Sequence, residues 1–204
     1  MTNSKESLQA WLKQNNIEAF WVTKPENVLW LTGFSGSFGA VLVPAQGTPT
    51  LITDSRYQEV AEDLCAEQKI NFCLFNEHFK ISKKNIAGES SLKISELAFW
   101  RKKLKAKIKP QKNILEQLRR VKTEEEIKII KSAQAYVDQT LPDFVQKVLK
   151  ENITEAEAAF KLEVALRNNG RYGLSFDPIL AFGKNSSLPH HHPGQTKLNP
   201  NTNI

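Results

Sequence analysis

The chain has 204 residues, of which 28 are Lys or Arg and 22 are Asp or Glu, giving a formal charge of +6. With 40% hydrophobic and 25% charged residues it has the composition of a soluble globular protein, long for one compact domain and short for two full ones. An excess of that size does not imply nucleic-acid binding, which needs a basic stripe with stacking aromatics.

The N-terminus "MTNSKESLQAWLKQ" lacks the apolar core of a signal peptide, and no run approaches the length that spans a bilayer. A cytoplasmic protein is the expectation. Ser4 is placed to cap a helix carrying Leu8, Trp11 and Leu12 that ends at "QNN". "EAFWV" reads as a buried strand. "TKPENVLWLTGFSGSFG" opens on a Pro turn and closes on a Gly/Ser-rich stretch. That stretch lacks the Lys-Ser/Thr of a Walker loop and the G-x-G-x-x-G spacing, so its glycines read as turn formers.

"AVLVPA" and "TPTLITD" form a hairpin around Gly47. Asp54 or Ser55 caps the helix "RYQEVAEDLCAEQ"; "INFCLF" is a strand and "KKNIAGE" a weaker one. Next come the helix "ISELAFWRKKLK" and a basic run, Arg101 to Lys112, with seven cations and no acid. The alternation of Leu104, Ala106 and Ile108 makes that run a strand with one solvated face, and it carries no RRM or KH signature. Cys65 and Cys73 have neither zinc nor disulfide spacing and read as buried free thiols. Alternating strands and helices imply an α/β sheet unit over residues 1–112.

The pattern changes around residues 113–120, which divides the chain into domains of residues 1–115 and 116–204. "TEEEIKIIKSAQAYVDQTLPDFVQKVLK" has one wide apolar helical face, and Thr123 with Glu126 fits a capping box. Pro142 is expected to kink or interrupt this helix. A second box, Thr154 with Glu157, starts a helix expected to stop at Gly170. "DPILAFG" reads as a strand and "KNSSLPHHHPGQTKLNP" as a loop holding three of the four histidines, His190, His191 and His192.

The succession "LRRVKTEEEIKIIKSAQ", "ITEAEAA" and "LSFDPILAFGKNSSLPHHHPG" resembles the start of the catalytic domain of metallopeptidases with the creatinase, or pita-bread, fold. The branch it is most similar to is the Xaa-Pro aminopeptidases and Xaa-Pro dipeptidases. "NVLWLTGFSGSFGAVLV", "LITDSRY" and "EVA" resemble the creatinase-type N-terminal domain of the same enzymes. The resemblance implies an α/β protein: a creatinase-like domain with a mixed sheet and flanking helices, then a partial pita-bread α+β domain.

It also implies an exopeptidase that releases the residue before proline with two divalent metals, often Mn²⁺, sharing a water whose pKa they lower. The family's five ligands are Asp, Asp, His, Glu and Glu, hard or borderline donors. None of the five matches a position here. The first follows the "PH" motif on a strand of the type "LIDFG", and "NPNTNI" resembles the approach to that strand. The expectation is therefore a truncated peptidase that alone binds no catalytic metal pair and turns nothing over.

By match to the family, His190 lines the pocket as donor to the substrate carbonyl or oxyanion; otherwise it is a solvated loop histidine. His191 and His192 match no ligand position, and three consecutive histidines cannot converge on one ion. Phe176 matches an aromatic wall beside the substrate's first residue, or is plain packing. Asp177, before Pro178, reads as a turn residue. Arg56 could hold a peptide carboxylate through paired hydrogen bonds in a dimer partner's site, or pair with Glu59 or Glu62. The implied partners are proline-containing peptides and a second copy of the chain through the N-terminal domain, with no nucleic acid and no membrane. The alternative reading is a non-catalytic creatinase-like binding or interaction module, whose 123–149 helix would expose an apolar stripe.

Overall fold

The structure, a computed structural model, describes residues 2–76 and 81–199. It divides into two units, Met1–Lys122 and Thr123–Ile204. Of residues 199–204, read above as the approach to a ligand-bearing strand, all but Asn199 lie outside the described residues.

In the first unit the element order is α1 (Thr2–Gln14), β1 (Ala19–Val22), α2 (Pro25–Thr32), β2 (Ala40–Pro44), β3 (Thr50–Thr53), α3 (Gln58–Gln68), β4 (Asn71–Leu74), β5 (Asn85–Glu89), α4 (Ile94–Leu104), β6 (Lys107–Gln111) and α5 (Ile114–Arg120). The sheet order is β4-β3-β2-β1-β5-β6, with β2 antiparallel to both neighbours and the other adjacent pairs parallel. This is the mixed α/β architecture that the resemblance implies.

Every residue of β1 is buried, which a central strand covered on both faces requires. Alternation sends Phe20 and Val22 to one core, with Leu8, Leu12, Val28, Leu31, Cys65 and Leu115 from four helices. Ala19 and Trp21 point the other way, to Trp100, Leu104 and Ile108. Fully burying such a side chain stabilises by roughly 1.5–3 kcal/mol. The β3–α3–β4 crossover moves toward one sheet edge and β5–α4–β6 toward the other. Right-handed connections therefore place α3 and α4 on opposite faces. On the edge strand β6, Ile108 is buried while Lys107 and Lys109 are exposed, a charged margin that discourages strand addition.

The Gly-rich stretch is explained by close approach. Gly33, at φ +82°, is the left-handed cap of α2. A Cβ on Gly36 would sit 2.3 Å from the buried Phe34 ring. Glu89, buried at the end of β5, accepts from the Thr23 and Lys24 amides (2.7 and 2.9 Å) and from Asn27 Nδ2 (2.7 Å). An internal carboxylate thus already occupies the N-terminus of α2.

The second unit holds α6 (Glu124–Lys147) and α7 (Glu155–Arg167), then an extended segment and a 3₁₀ turn, Gly183–Ser187. Both capping boxes form, Thr123–Glu126 and Thr154–Glu157. The core joins Phe144, Ile153, Ala158, Leu180, Phe182 and Leu198.

Several local expectations are corrected. Ser4 lies inside α1, which starts earlier. Pro142 does not interrupt α6: the helix runs through it, and the carbonyl it leaves without a ladder partner belongs to the exposed Asp138, within reach of water. α7 ends at Arg167, earlier than expected, with Asn168 as its left-handed cap; Asn169 and Gly170 (φ +84°) beyond it are left-handed as well. "DPILAFG" is extended but not a strand, because among the described residues none pairs with it; the Phe182 amide is taken by a side chain instead.

Candidate functional site

The His-rich loop is built on the first turn of α7. The orphan amides of that turn are satisfied by the returning chain: Glu155 N donates to Thr196 O (3.0 Å) and Ala156 N to Gly194 O (3.0 Å). The Glu157 amide donates to Thr154 Oγ1 (3.2 Å), closing the capping box. Residues 194–198 are thereby held against the helix start, reinforced by an antiparallel bridge between Thr154 and Lys197.

Glu155 itself is fully buried. Its Oε1 accepts from the Phe182 amide (2.8 Å) and Asn185 Nδ2 (2.9 Å). Its Oε2 lies 2.8 Å from His191 Nε2 and accepts from the Gly194 amide (3.1 Å). Burial pushes the carboxyl up. The hydrogen bonds from Asn185, Phe182, His191 and Gly194 outweigh that and hold it down at about 2. Ionised Glu155 can only accept, so His191 carries its proton on Nε2. Four donors around two oxygens fill the carboxylate's capacity, and its negative charge sits at the positive end of α7.

The three histidines therefore differ. His191 is half-buried and turned inward, whereas His190 and His192 are exposed. Phe176 is also exposed, at 74%, and does not belong to the core of this unit. Exposed Asp177 precedes Pro178 in the extended segment. The first unit places Arg56 in a 3₁₀ turn capped by Asp54, and the pairing is with Asp54, not with Glu59 or Glu62. Two parallel bonds join them, Nε to Oδ1 (3.0 Å) and Nη2 to Oδ2 (2.8 Å), and the guanidinium lies 5.3 Å from the Tyr57 ring centroid. That bond to Arg56 holds the Asp54 carboxyl below its ordinary range. Cys65 and Cys73 are free, and burial pushes both thiols up, so neither is an activated nucleophile.

Sequence reasoning missed Glu155 and His191. A Glu in the first turn of a helix ordinarily faces solvent, and nothing in "ITEAEAA" marks its burial. The available signal was the loop: Pro189 and Pro193 confine the histidines, and a confined polar loop needs an internal partner.

The Creatinase/Prolidase N-terminal domain family matches residues 5–121. The chain belongs to the creatinase/prolidase family. Metallopeptidase family M24 matches residues 128–204. The Xaa-Pro dipeptidase of Pyrococcus furiosus is 28% identical over 193 residues, 93% of this chain but 55% of its own length. An uncharacterized peptidase of Bacillus subtilis is 29% identical, with 91% of this chain and 54% of its own length covered. Among solved structures, an X-Pro aminopeptidase from Thermotoga maritima is 26% identical with a TM-score of 0.77, matching 97% of this chain and 58% of its own. A Xaa-Pro dipeptidase from Bacillus anthracis reaches a TM-score of 0.84 over 98% of this chain and 58% of its own, at an identity of 24% that shows the fold alone. The chain spans little more than half the length of these relatives.

The match of residues 128–204 to metallopeptidase family M24 implies divalent metal in that family. Among the described residues, no group of three or more His, Cys, Asp or Glu is placed to hold a metal ion. The buried carboxylate of Glu155, paired with His191, is already saturated with protein donors. The described residues do not fit a dinuclear centre. Among the described residues, no helix is long and apolar enough to cross a membrane.

Proposed function

We propose that the chain is the N-terminal portion of a Xaa-Pro metalloexopeptidase, which releases the residue before proline with two divalent metals, Mn²⁺ by preference, bound outside these residues. The observation that carries this reading is that creatinase/prolidase and M24 regions follow one another along nearly the whole chain, and the second presents an exposed His190 on a braced loop. In this reading His190 donates to the substrate carbonyl or oxyanion and exposed Phe176 flanks the first residue of a proline-containing peptide. Arg56 holds a peptide carboxylate in a homodimer partner's site, exchanging Asp54 for the substrate. The division into domains at residues 115 and 116 and a cytoplasmic location belong to the same proposal.

The test is to read the coding sequence beyond the Ile204 codon and to assay its product with Mn²⁺ on Xaa-Pro peptides. Cleavage before proline that is lost in His190→Ala is expected. A product without a dinuclear ligand set, or one that leaves such peptides intact, overturns the reading.

A second reading, a non-catalytic interaction module, draws on the apolar positions that α6 exposes: Ile129, Ile130, Leu141 and Val145. A 204-residue chain that is monodisperse and monomeric, and unfolds cooperatively, supports it; a chain that aggregates until these four are made polar counts against it.

A further inference from the structure

We propose that Glu155 is a positioning residue: its carboxylate, buried beneath the 182–194 loop, turns His191 inward as a lock and so presents His190 outward to substrate. The proposal rests on the reading of His190 given above, but its geometry stands independently of it. The four donors come from both ends and the middle of one loop: Phe182 at its start, Asn185 in the 3₁₀ turn, then His191 and Gly194 at its close. No other side chain among the described residues of this unit gathers contacts that are so far apart in sequence.

The arrangement also assigns the histidine triplet. Pro189 and His190 form a turn closed by the His191 amide, which donates to Leu188 O (3.2 Å), so an imidazole fixed at the end of that turn fixes the backbone that carries His190. His191 Nε2 lies 2.8 Å from Glu155 Oε2, and the side chain is 14% exposed, while His190 is exposed. Pro189 and Pro193 limit the backbone on either side. Asn185 Nδ2 makes a further bond to Thr196 Oγ1 (3.0 Å), tying the turn to the strip that caps α7. The polar side of the loop therefore closes around one carboxylate, while Phe182 at its start anchors it in the hydrophobic core.

A purely structural role for Glu155 would change the stability of the whole second unit; a positioning role changes the order of one loop. The experiment is residue-resolved amide exchange on the 204-residue chain, with carbethoxylation of each histidine followed by mass spectrometry. In Glu155→Gln, exchange at Phe182 and Gly194 is expected to rise at least about tenfold while interior amides of α7 change less than about twofold. His191 should become as reactive as His190. His191→Ala, which removes one donor and keeps the carboxylate, should raise exchange at Gly194 with α7 unchanged, and covers the case in which Glu155→Gln does not fold. Unchanged exchange at Phe182 and Gly194, or a uniform rise across residues 123–199, overturns the proposal. His190→Ala separates the two readings. It should leave loop protection intact, so retained Xaa-Pro cleavage by a longer product bearing it would sink the functional reading alone.

Discussion

Glu155 and His191 lie 36 positions apart in sequence and 2.8 Å apart in space, and the contact joins the first turn of α7 to the histidine loop. Replacing Glu155 by Ala strands the Phe182 and Gly194 amides, Asn185 and His191 around a buried void. Loss of a buried ionised acceptor of this kind costs roughly 3–5 kcal/mol. All four tryptophans, Trp11, Trp21, Trp30 and Trp100, belong to the first unit, so tryptophan fluorescence reports that unit alone. Glu155→Ala should leave the fluorescence-detected urea transition in place and lower the opening free energy of the 182–194 loop measured by amide exchange, with the interior amides of α7 far less affected. A shift of the fluorescence transition would show that the substitution acts elsewhere.

The same carboxyl makes the histidine loop acid-sensitive. With the loop closed its pKa of about 2 lies below the ordinary 4.5, so ionised Glu155 favours the closed loop. That contribution, on the order of 3 kcal/mol, is fully present above about pH 4.5 and is lost as pH falls through about 2. Exchange at Gly194 and Phe182 should accelerate over that window in the wild type. In Glu155→Gln the same probes should show a flatter acid dependence, and an identical profile in both proteins would assign the acid sensitivity to another carboxylate.

Glu89 plays a comparable part in the first unit. It joins the end of β5 to the turn between β1 and α2 through Thr23, Lys24 and Asn27. Asn27 is itself buried and accepts from Arg119 Nη1 (2.9 Å), which brings α5 into the network. Glu89→Ala should destabilise this unit by about 3–5 kcal/mol and move the tryptophan transition to lower urea. Glu89→Gln, which keeps one acceptor oxygen, should cost less. Equal losses for the two would mean that packing and not hydrogen bonding sets the cost.

What could be read from the chain divides along physical lines. Family and fold class were legible, because strands such as "AVLVPA" and boxes such as Thr123–Glu126 and Thr154–Glu157 are local patterns with local causes. The corrections fall where the cause is distant. "DPILAFG" has strand composition, but a strand needs a neighbour, and the described residues give Phe182 a carboxylate instead. Arg56 had acids within a helical turn, yet Asp54 on the preceding side reached it with two bonds. Asn168, Asn169 and Gly170 are all left-handed, and which of three permissive residues caps the helix is not decided by composition. Glu155 was hidden for the same reason: its partners lie 27 to 39 positions downstream.

Gly88 tests how tightly the sheet is closed. It lies in β5 beside β6, and a Cβ there would come within 2.6 Å of Ile108 Cγ2. Ile108 is fully buried against Trp100 and Leu104 and cannot yield. Gly88→Ala should therefore cost about 1–3 kcal/mol by overpacking, against the small gain that alanine gives in an unstrained strand. Ile108→Ala alone should cost about 2–5 kcal/mol through the cavity it leaves. In the double variant the new methyl enters space the isoleucine has vacated, so the losses should sum to less than the two singles, with a coupling of roughly 0.5–3 kcal/mol. Urea denaturation followed by tryptophan fluorescence measures all three. Strict additivity would mean that the clash at Gly88 is relieved by a backbone shift of β5 and not borne by Ile108.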